Sequence, residues 1–222
     1  MNGNETIVKY LRQTKELFGS ELFLDPKHTT LEPEKNINAA SDLEKYAKEI
    51  SNCELCSLSK TRNKFVFGVG DPQANLLLIG EAPGAEEDRL GEPFVGRAGR
   101  LLDKILLAIR RNRSKDVYIC NVLKCRPPNN RDPLTSEVEK CEPYLLQQIA
   151  IIRPKLIVAL GRVAGITLLK IEQPLKNMRS KLHDYYGTPL IVTYHPAALL
   201  RNAGLKPAAW EDFKWIKRFL DQ

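Results

Sequence analysis

The 222-residue sequence contains no apolar run long enough to cross a lipid bilayer. No apolar segment follows the basic residues near the N-terminus, as a secretory signal would require. The sequence also lacks internal repeats and long low-complexity tracts, so its length favours one main domain. Together these absences predict a cytoplasmic, intracellular protein with no membrane partner.

Acidic residues are outnumbered by basic ones. The chain has 27 Asp and Glu against 34 Lys and Arg, which gives a formal net charge of +7 and an isoelectric point near 9.1. An excess of positive charge favours a polyanionic partner such as nucleic acid, although modest excesses are also common on ordinary solvated surfaces. Charge alone therefore leaves nucleic-acid binding as one of two interpretations.

Structural disulfides are not expected inside a cell, so the five cysteines indicate metal ligation or simple burial. Cys53 and Cys56 form a CxxC pair, while Cys125 and Cys141 bracket the loop RPPNNRDPLTSEVEK. Four thiolates suit either zinc or an iron–sulfur cluster, and their spacing does not choose between the two. The alternative is a buried Cys141 on a helix and a free loop thiol at Cys125. Cys120 lies in a strand-like run, where a small buried side chain is expected.

Apolar runs alternate with helical patterns through most of the chain. Four runs rich in Val, Ile and Leu predict buried strands, at residues 75–80, 116–123, 155–161 and 189–196. Helical patterns cover residues 98–111, 135–152, 161–169 and 210–220, and Ser41 is the expected N-cap of a further helix. The pattern predicts a three-layer α/β/α fold with a central four-stranded, mainly parallel sheet.

Residues 1–40 are expected to form an N-terminal extension. They contain one amphipathic helical stretch, TIVKYLRQTKELF, followed by a polar connector whose composition is typical of a linker. Residues 41–222 are then the main domain, and the sequence does not assign a role to the extension.

Polar side chains follow three of the predicted strands. Glu81 comes directly after the first strand, Asn121 lies near the end of the second, and His195 ends the fourth. Parallel sheets bind ligands beyond the carboxyl ends of their strands, so these side chains are expected to meet at one edge. Each residue alone has an ordinary structural explanation, but their common placement predicts a site.

Three segments carry a resemblance to a known family. GEAPGAEEDRLGEPFVGRAG, YICNVLKCRPPNNR and YHPAALLR resemble the signature segments of the family 4 uracil-DNA glycosylases, an iron–sulfur group of thermophiles and other prokaryotes. The resemblance covers residues from about 45 to the end of the chain. It implies the uracil-DNA glycosylase fold and a 4Fe-4S cluster on Cys53, Cys56, Cys125 and Cys141, with zinc as the alternative metal.

The resemblance also implies an activity, namely hydrolysis of the bond between uracil and deoxyribose in DNA, which leaves an abasic site. A base inside a duplex must first be flipped into a pocket. Phe94 would stack on the flipped uracil, Asn121 would read its hydrogen-bonding edge, and Glu87 would block the methyl group of thymine. The neighbouring acids Glu86 and Asp88 are expected to be solvated or to cap the following turn.

Two residues are implied for the chemical step. His195 would donate a hydrogen bond to uracil O2 as negative charge develops there, and Glu81 would polarise the attacking water. The classical uracil-DNA glycosylases carry an aspartate at the position of Ala82, another residue of the implied substrate pocket.

The expected partner is uracil-containing DNA, single- or double-stranded, bound by a monomer whose abasic product passes to downstream repair enzymes. Leu199 or Leu200 would fill the gap left by the flipped base, with helix packing as the alternative for both leucines. Phosphate contacts are expected from basic residues in two segments, Arg201 and Lys206 in one, and Arg126 and Arg131 in the other.

Two other functions are compatible with parts of the sequence. Positive charge and four cysteines alone would permit a non-catalytic, metal-stapled DNA-binding module, but such a module does not need the Glu81, Asn121 and His195 constellation. An α/β enzyme acting on free nucleotides is disfavoured because GEAPG lacks the pattern of a phosphate-binding loop.

Overall fold

The sheet at the centre of the fold has six strands. The computed structural model describes residues 35–222, and the predicted helix TIVKYLRQTKELF lies outside them. In chain order the strands are β1 (Val69–Gly70), β2 (Leu76–Gly80), β3 (Val117–Asn121), β4 (Leu156–Leu160), β5 (His183–Tyr185) and β6 (Thr188–Thr193). Their spatial order is β1-β3-β2-β4-β6-β5, in which β3, β2, β4 and β6 are parallel and the edge strands are antiparallel.

Helices cover both faces of this sheet. They are α1 (Ala39–Ile50), α2 (Ala85–Leu90), α3 (Arg97–Ala108), α4 (Thr135–Ile152), α5 (Arg162–Leu169), α6 (Leu175–Met178), α7 (Pro196–Arg201) and α8 (Lys206–Leu220). Short 3-10 turns occur at Ser57–Lys60, Pro128–Asn130 and Ala203–Leu205. Within residues 35–222, no helix combines the length and apolar character needed to span a membrane.

The alternation of side chains along β2 explains the three layers. Leu77 and Ile79 belong to a core shared with α1, α4 and α5, whereas Leu76 and Leu78 belong to a second core shared with α3 and α8. All four side chains are completely buried, as expected for a central strand that is covered on both faces. The predicted α/β/α layering is therefore confirmed.

The parallel centre of the sheet matches the four predicted strands, but the edges were missed. Strands β1 and β5 have two and three residues, too few for a detectable alternation of apolar and polar side chains. Two predicted strands were also too long, since β3 ends at Asn121 and β6 ends at Thr193.

Some helix boundaries also differ from the prediction. Helix α1 begins at Ala39, so Ser41 is inside its first turn and is not the N-cap; its hydroxyl donates to the Asn38 carbonyl. Helix α2, unpredicted, follows Gly84 and carries the acidic cluster. Helix α8 starts at Lys206, four residues before the predicted stretch.

Candidate active site

A cavity of about 600 Å³ opens at the carboxyl ends of the central strands. Four of its lining residues are those predicted to share this edge or to face a base, namely Glu81, Phe94, Asn121 and His195. Ala82, Glu87, Arg131 and Arg201, also singled out from the sequence, line it as well. The predicted meeting of the strand-end side chains is therefore confirmed, and the Gly-rich segment GEAPGAEEDRLGEPFVGRAG forms one wall of the cavity.

The aromatic ring of Phe94 is buried inside this cavity. Its centroid lies 5.4 Å from that of the His195 ring, with the two planes tilted by 31°. A Cβ placed at Gly80 would lie 2.8 Å from the Phe94 ring and would also collide with the Asn121 amide. Glycine at the end of β2 therefore leaves the space in which ring and amide lie side by side.

Asn121 is the last residue of β3 and is 2% exposed. Its main-chain carbonyl accepts a hydrogen bond from Lys124 Nζ at 2.8 Å, and the same ammonium donates to Gln148 Oε1 at 2.5 Å. Lys124 is completely buried. Because a buried charge requires such partners, the lysine ties the end of β3 to α4. Nothing in the run NVLKC distinguished this lysine from an exposed one.

His195 precedes α7 and caps its N-terminus. The ring Nδ1 accepts a hydrogen bond from the main-chain N–H of Ala197 at 3.1 Å. Burial lowers the pKa of His195 to about 4, the nearby charge of Arg201 acts in the same direction, and Glu87 opposes both. The imidazole is therefore neutral at pH 7, and with Nδ1 accepting, its proton is on Nε2.

The Glu81 carboxyl is half-buried in the cavity and has a raised pKa, unlike an exposed carboxyl group. Burial and the nearby charge of Asp132 raise its pKa to about 7, and the charge of Arg162 acts in the opposite direction. Asp132 and Arg162 both line the cavity and form an ion pair of 3.4 Å. Sequence reasoning missed both residues. Arg162 could have been found, because it follows β4 at the same sheet edge as the others.

The three acids of α2 have separate environments. Glu87 Oε1 accepts hydrogen bonds from the main-chain N–H groups of Val95 and Gly96, each at 3.0 Å. Glu86 is exposed and pairs with Arg89, as expected for a solvated acid.

Asp88 was expected to be solvated or to cap the following turn, and both alternatives were wrong, because its partners are Asn63 and Lys64. It is 1% exposed, and its carboxylate accepts from the main-chain N–H of Asn63 at 2.9 Å and from the Asn63 side chain at 2.5 Å. The main-chain N–H of Lys64 donates to it at 3.4 Å. Asp88 thus fixes α2 to the chain that follows the CxxC pair, a long-range contact that composition does not reveal.

The four cysteines of the predicted metal site line a second, smaller cavity. Arg62 Nη1 donates to the Cys125 sulfur at 3.4 Å and to the Cys53 carbonyl at 2.6 Å, while the main-chain N–H of Lys124 donates to the Cys141 sulfur at 3.3 Å. Cys120 is completely buried in the core near the sheet, as predicted.

The donor set of this second cavity is four cysteine thiols, which suit a sulfur-ligated centre. Arg62 and the main-chain N–H of Lys124 donate to two of the sulfur atoms, as they would to thiolates that bind a metal. An iron–sulfur cluster and a zinc ion both accept four thiolates, so the donor set does not choose between them.

The candidate wedge residues on α7 differ in exposure. Leu199 is 2% exposed, so its side chain packs in the interior, which was the alternative for both leucines. Leu200 is 43% exposed and is free to contact a ligand. Arg201 and Lys206 are exposed near it in the chain, and Arg201 reaches the cavity.

Two arginines of the loop after β3 form hydrogen bonds with nearby residues, which the sequence did not indicate. Arg131 donates to both carboxylate oxygens of Glu137, at 2.6 and 2.9 Å, and Glu137 is 2% exposed. Arg126 donates to Asn130 Oδ1 at 2.9 Å. Arg131 lines the cavity but already has an anionic partner, whereas Arg126 is not among the lining residues.

Comparison with known proteins identifies the family of the chain. The family model for the uracil DNA glycosylase superfamily matches residues 67–214. A type-4 uracil-DNA glycosylase of Archaeoglobus fulgidus is 46% identical, over 78% of this chain and 91% of that protein. Proteins of the same description from Pyrobaculum aerophilum and Thermotoga maritima are 42% and 41% identical, over 81% and 80% of this chain and 98% and 94% of their own. The chain belongs to the uracil-DNA glycosylase superfamily, in its type-4 group.

Proposed function

We propose that this protein removes uracil from DNA by hydrolysing the N-glycosidic bond of a flipped deoxyuridine, which leaves an abasic site. The observation that carries the proposal is the convergence, in one cavity of about 600 Å³, of a neutral imidazole, a carboxylate of raised pKa, an amide and an aromatic ring. A binding module has no need for that combination, so the metal-stapled DNA-binding module is not favoured.

Recognition of the base depends on the ring and the amide. A flipped uracil that enters the cavity would stack on Phe94, while the Asn121 carboxamide donates to O4 and accepts from N3–H. Cytosine presents the reverse pattern of donor and acceptor. The buried Lys124 holds the main-chain carbonyl of Asn121 and so supports the position of this residue at the end of β3.

Thymine differs from uracil by one methyl group, so it must be excluded by contact. Loss of a methyl from a favourable pocket changes specificity only about 10- to 200-fold. The Glu87 carboxylate supplies the wall in this proposal. Its position supports that role, because Oε1 is fixed by the N–H groups of Val95 and Gly96 and the side chain cannot easily swing aside.

The chemical step separates charge, with a cationic sugar and an anionic uracil as the bond breaks. His195 would donate from Nε2 to uracil O2, the atom on which negative charge develops. A neutral donor suits this role at pH 7 because the ring does not have to lose or gain a proton first. Glu81, when ionised, would orient the water and stabilise the cationic sugar. Ala82 leaves no aspartate beside it, so Glu81 is the carboxylate we assign to the water.

The four cysteines lining the second cavity would bind a 4Fe-4S cluster, with zinc as the alternative metal. When bound, the cluster would act as a structural tie between the CxxC pair and α4. Arg62 supports a thiolate centre, since its guanidinium lies against the Cys125 sulfur. Anaerobically purified protein with about four iron and four sulfide per chain would support the cluster. Colourless protein with one zinc per chain would contradict it.

DNA would approach across the mouth of the cavity. Leu200 is the exposed candidate for the gap left by the flipped base, and Arg201 and Lys206 follow it. Arg126 and Arg131 would contact phosphate from the opposite side. We propose that residues 41–222 act as the catalytic domain and residues 1–40 as an extension. The chain would act as a monomer on single- or double-stranded DNA, and its abasic product would pass to enzymes that process such sites.

The proposed function is tested by single-turnover release of base from labelled oligonucleotides that carry one uracil, with matched thymine and cytosine substrates. We expect release of uracil only, slowed about 100-fold or more in His195→Ala. Tight DNA binding without release in wild type would instead favour the DNA-binding module. Equal rates of uracil release by wild type and His195→Ala would show that His195 takes no part in the reaction.

A further inference from the structure

The turn that carries Phe94 has an unfavourable backbone conformation. Phe94 has a φ of 55°, in the left-handed region that residues other than glycine rarely adopt. The turn also packs directly on α3, because a Cβ at Gly99 would collide with the Phe94 carbonyl. A strained turn of this kind persists only where its surroundings fix it.

Two side chains of opposite charge hold the turn. Glu87 accepts from the N–H groups that follow Phe94, and Arg113 donates to the carbonyl groups on the other side. Arg113 Nη2 lies 2.9 Å from the Phe94 oxygen, and Nη1 lies 3.3 Å from the Pro93 oxygen. The turn's donors therefore meet an anion, and its acceptors meet a cation.

Asp103, on α3, orients the guanidinium. Arg113 donates to Asp103 Oδ1 from Nε at 2.8 Å, and Nη2 lies 2.7 Å from the same oxygen. A guanidinium bound to a carboxylate on one side presents its remaining N–H groups in a fixed direction. Arg113 does not line the cavity of about 600 Å³, so it does not contact the base itself.

We infer that Arg113, oriented by Asp103, is a positioning residue for pyrimidine recognition, which fixes the ring of Phe94 where the flipped uracil stacks. The inference rests on the proposed function. Without the guanidinium, the left-handed turn has lost the partner of its carbonyl groups. The Phe94 ring would then sample positions that do not match the base, so binding of uracil would weaken while contacts with the DNA backbone would not.

The test compares Arg113→Met with Arg111→Met. Arg111 is a matched control, since it lies in the same connection and its side chain is 19% exposed against 22% for Arg113. It pairs at 2.6 Å with Asp221, at the C-terminal end of α8. Three quantities are measured on the full chain: the inhibition constant of free uracil, the affinity for uracil-free duplex, and the thermal midpoint.

Arg113→Met is expected to raise the inhibition constant of uracil about tenfold or more, because charge-assisted hydrogen bonds to the turn are lost. Affinity for uracil-free duplex should not change. The two variants should lower the thermal midpoint by similar amounts. Arg111→Met should leave the inhibition constant of uracil at the wild-type value. An unchanged constant in folded Arg113→Met, or an equal rise in both variants, overturns the inference.

A double-mutant cycle tests whether Arg113 acts through the ring. In the Phe94→Leu background, Arg113→Met should raise the inhibition constant by less than twofold, and a full tenfold rise there would contradict the inference. If Arg113→Met does not fold, Asp103→Asn takes its place, because it keeps the arginine and releases its orientation. A smaller rise in the same constant is then expected, and none would count against the idea. If wild type releases no uracil from DNA, both the proposed function and the inference are wrong. If wild type is active and Arg113→Met leaves the inhibition constant of uracil unchanged, only the inference is wrong.

Discussion

Glu81→Gln should stabilise the protein at alkaline pH while it slows the reaction. Burial, together with the nearby charge of Asp132, raises the pKa of Glu81 from its ordinary value of 4.5 to about 7. A carboxyl whose folded pKa is raised binds its proton more tightly in the folded state. Its contribution to stability is therefore complete below about pH 4.5 and is lost as the pH rises through about 7.

The size of the effect follows from the pKa. Because each pKa unit corresponds to about 1.4 kcal/mol, ionised Glu81 lowers the free energy of unfolding by about 3 kcal/mol at most. This loss develops between about pH 4.5 and pH 7, so it is nearly complete at pH 9. Glutamine has the same shape and no charge to desolvate, so Glu81→Gln should escape the loss. For a domain of this size the difference amounts to roughly 5 to 10 °C in thermal midpoint.

The assay is the thermal midpoint of wild type and Glu81→Gln at pH 5 and at pH 9. Other titrating groups are common to both proteins, so they cancel in the difference between the two. We expect similar midpoints at pH 5 and a higher midpoint for the variant at pH 9. A difference that is the same at both pH values would refute the assignment of a raised pKa to Glu81. The rate of uracil release by wild type should rise with pH through about 7, and the variant should be about 100-fold slower and lack that rise.

Three further predictions concern other parts of the site. His195→Ala should slow uracil release by a similar factor at pH 6 and pH 8, because the pKa of His195 is lowered to about 4 and the ring is neutral at both. A ratio of wild-type to variant single-turnover rates that differs between the two pH values would contradict a neutral donor. Glu87→Ala should release detectable thymine and Glu87→Gln should release less, since the amide oxygen can still accept from the turn; complete rejection of thymine by Glu87→Ala would disprove the wall. Cys125→Ser should lower the iron content and the thermal midpoint, whereas Cys120→Ser, in the core, should retain iron. Equal loss of iron in both variants would contradict the assignment of Cys125 as a ligand of the metal centre.

The centre of the fold and the floor of the site were predictable because they depend on local patterns. Leu76 to Ile79 form a continuous apolar run that is expected only where both faces of a strand are covered. The carboxyl ends of parallel strands share one edge, so Glu81, Asn121 and His195 had to approach one another. Neither conclusion depends on knowing which distant residues are in contact.

The residues that support the site were not predictable, because their partners are remote in the chain. Arg113 donates to a carbonyl 19 residues before it, and Lys124 donates to Gln148, 24 residues after it. In the sequence these cations resemble any others in a basic protein. Only the folded chain shows that Lys124 is buried and that Asp88, in an acidic cluster, is not solvated.

Glu81 and Glu87, two of the acids that line the cavity, interact differently with their surroundings, which separates their roles. Glu87 binds two main-chain N–H groups, so its oxygen serves the geometry of the Phe94 turn. Burial and Asp132 raise the pKa of Glu81, so its charged form is disfavoured until a positive charge appears. In the proposed reaction that charge is the cationic sugar, and its attraction to Glu81 offsets the desolvation of the carboxylate. The stability that Glu81→Gln gains at pH 9 and the rate that it loses therefore have one cause, and a variant that gained the first without losing the second would place the sugar elsewhere.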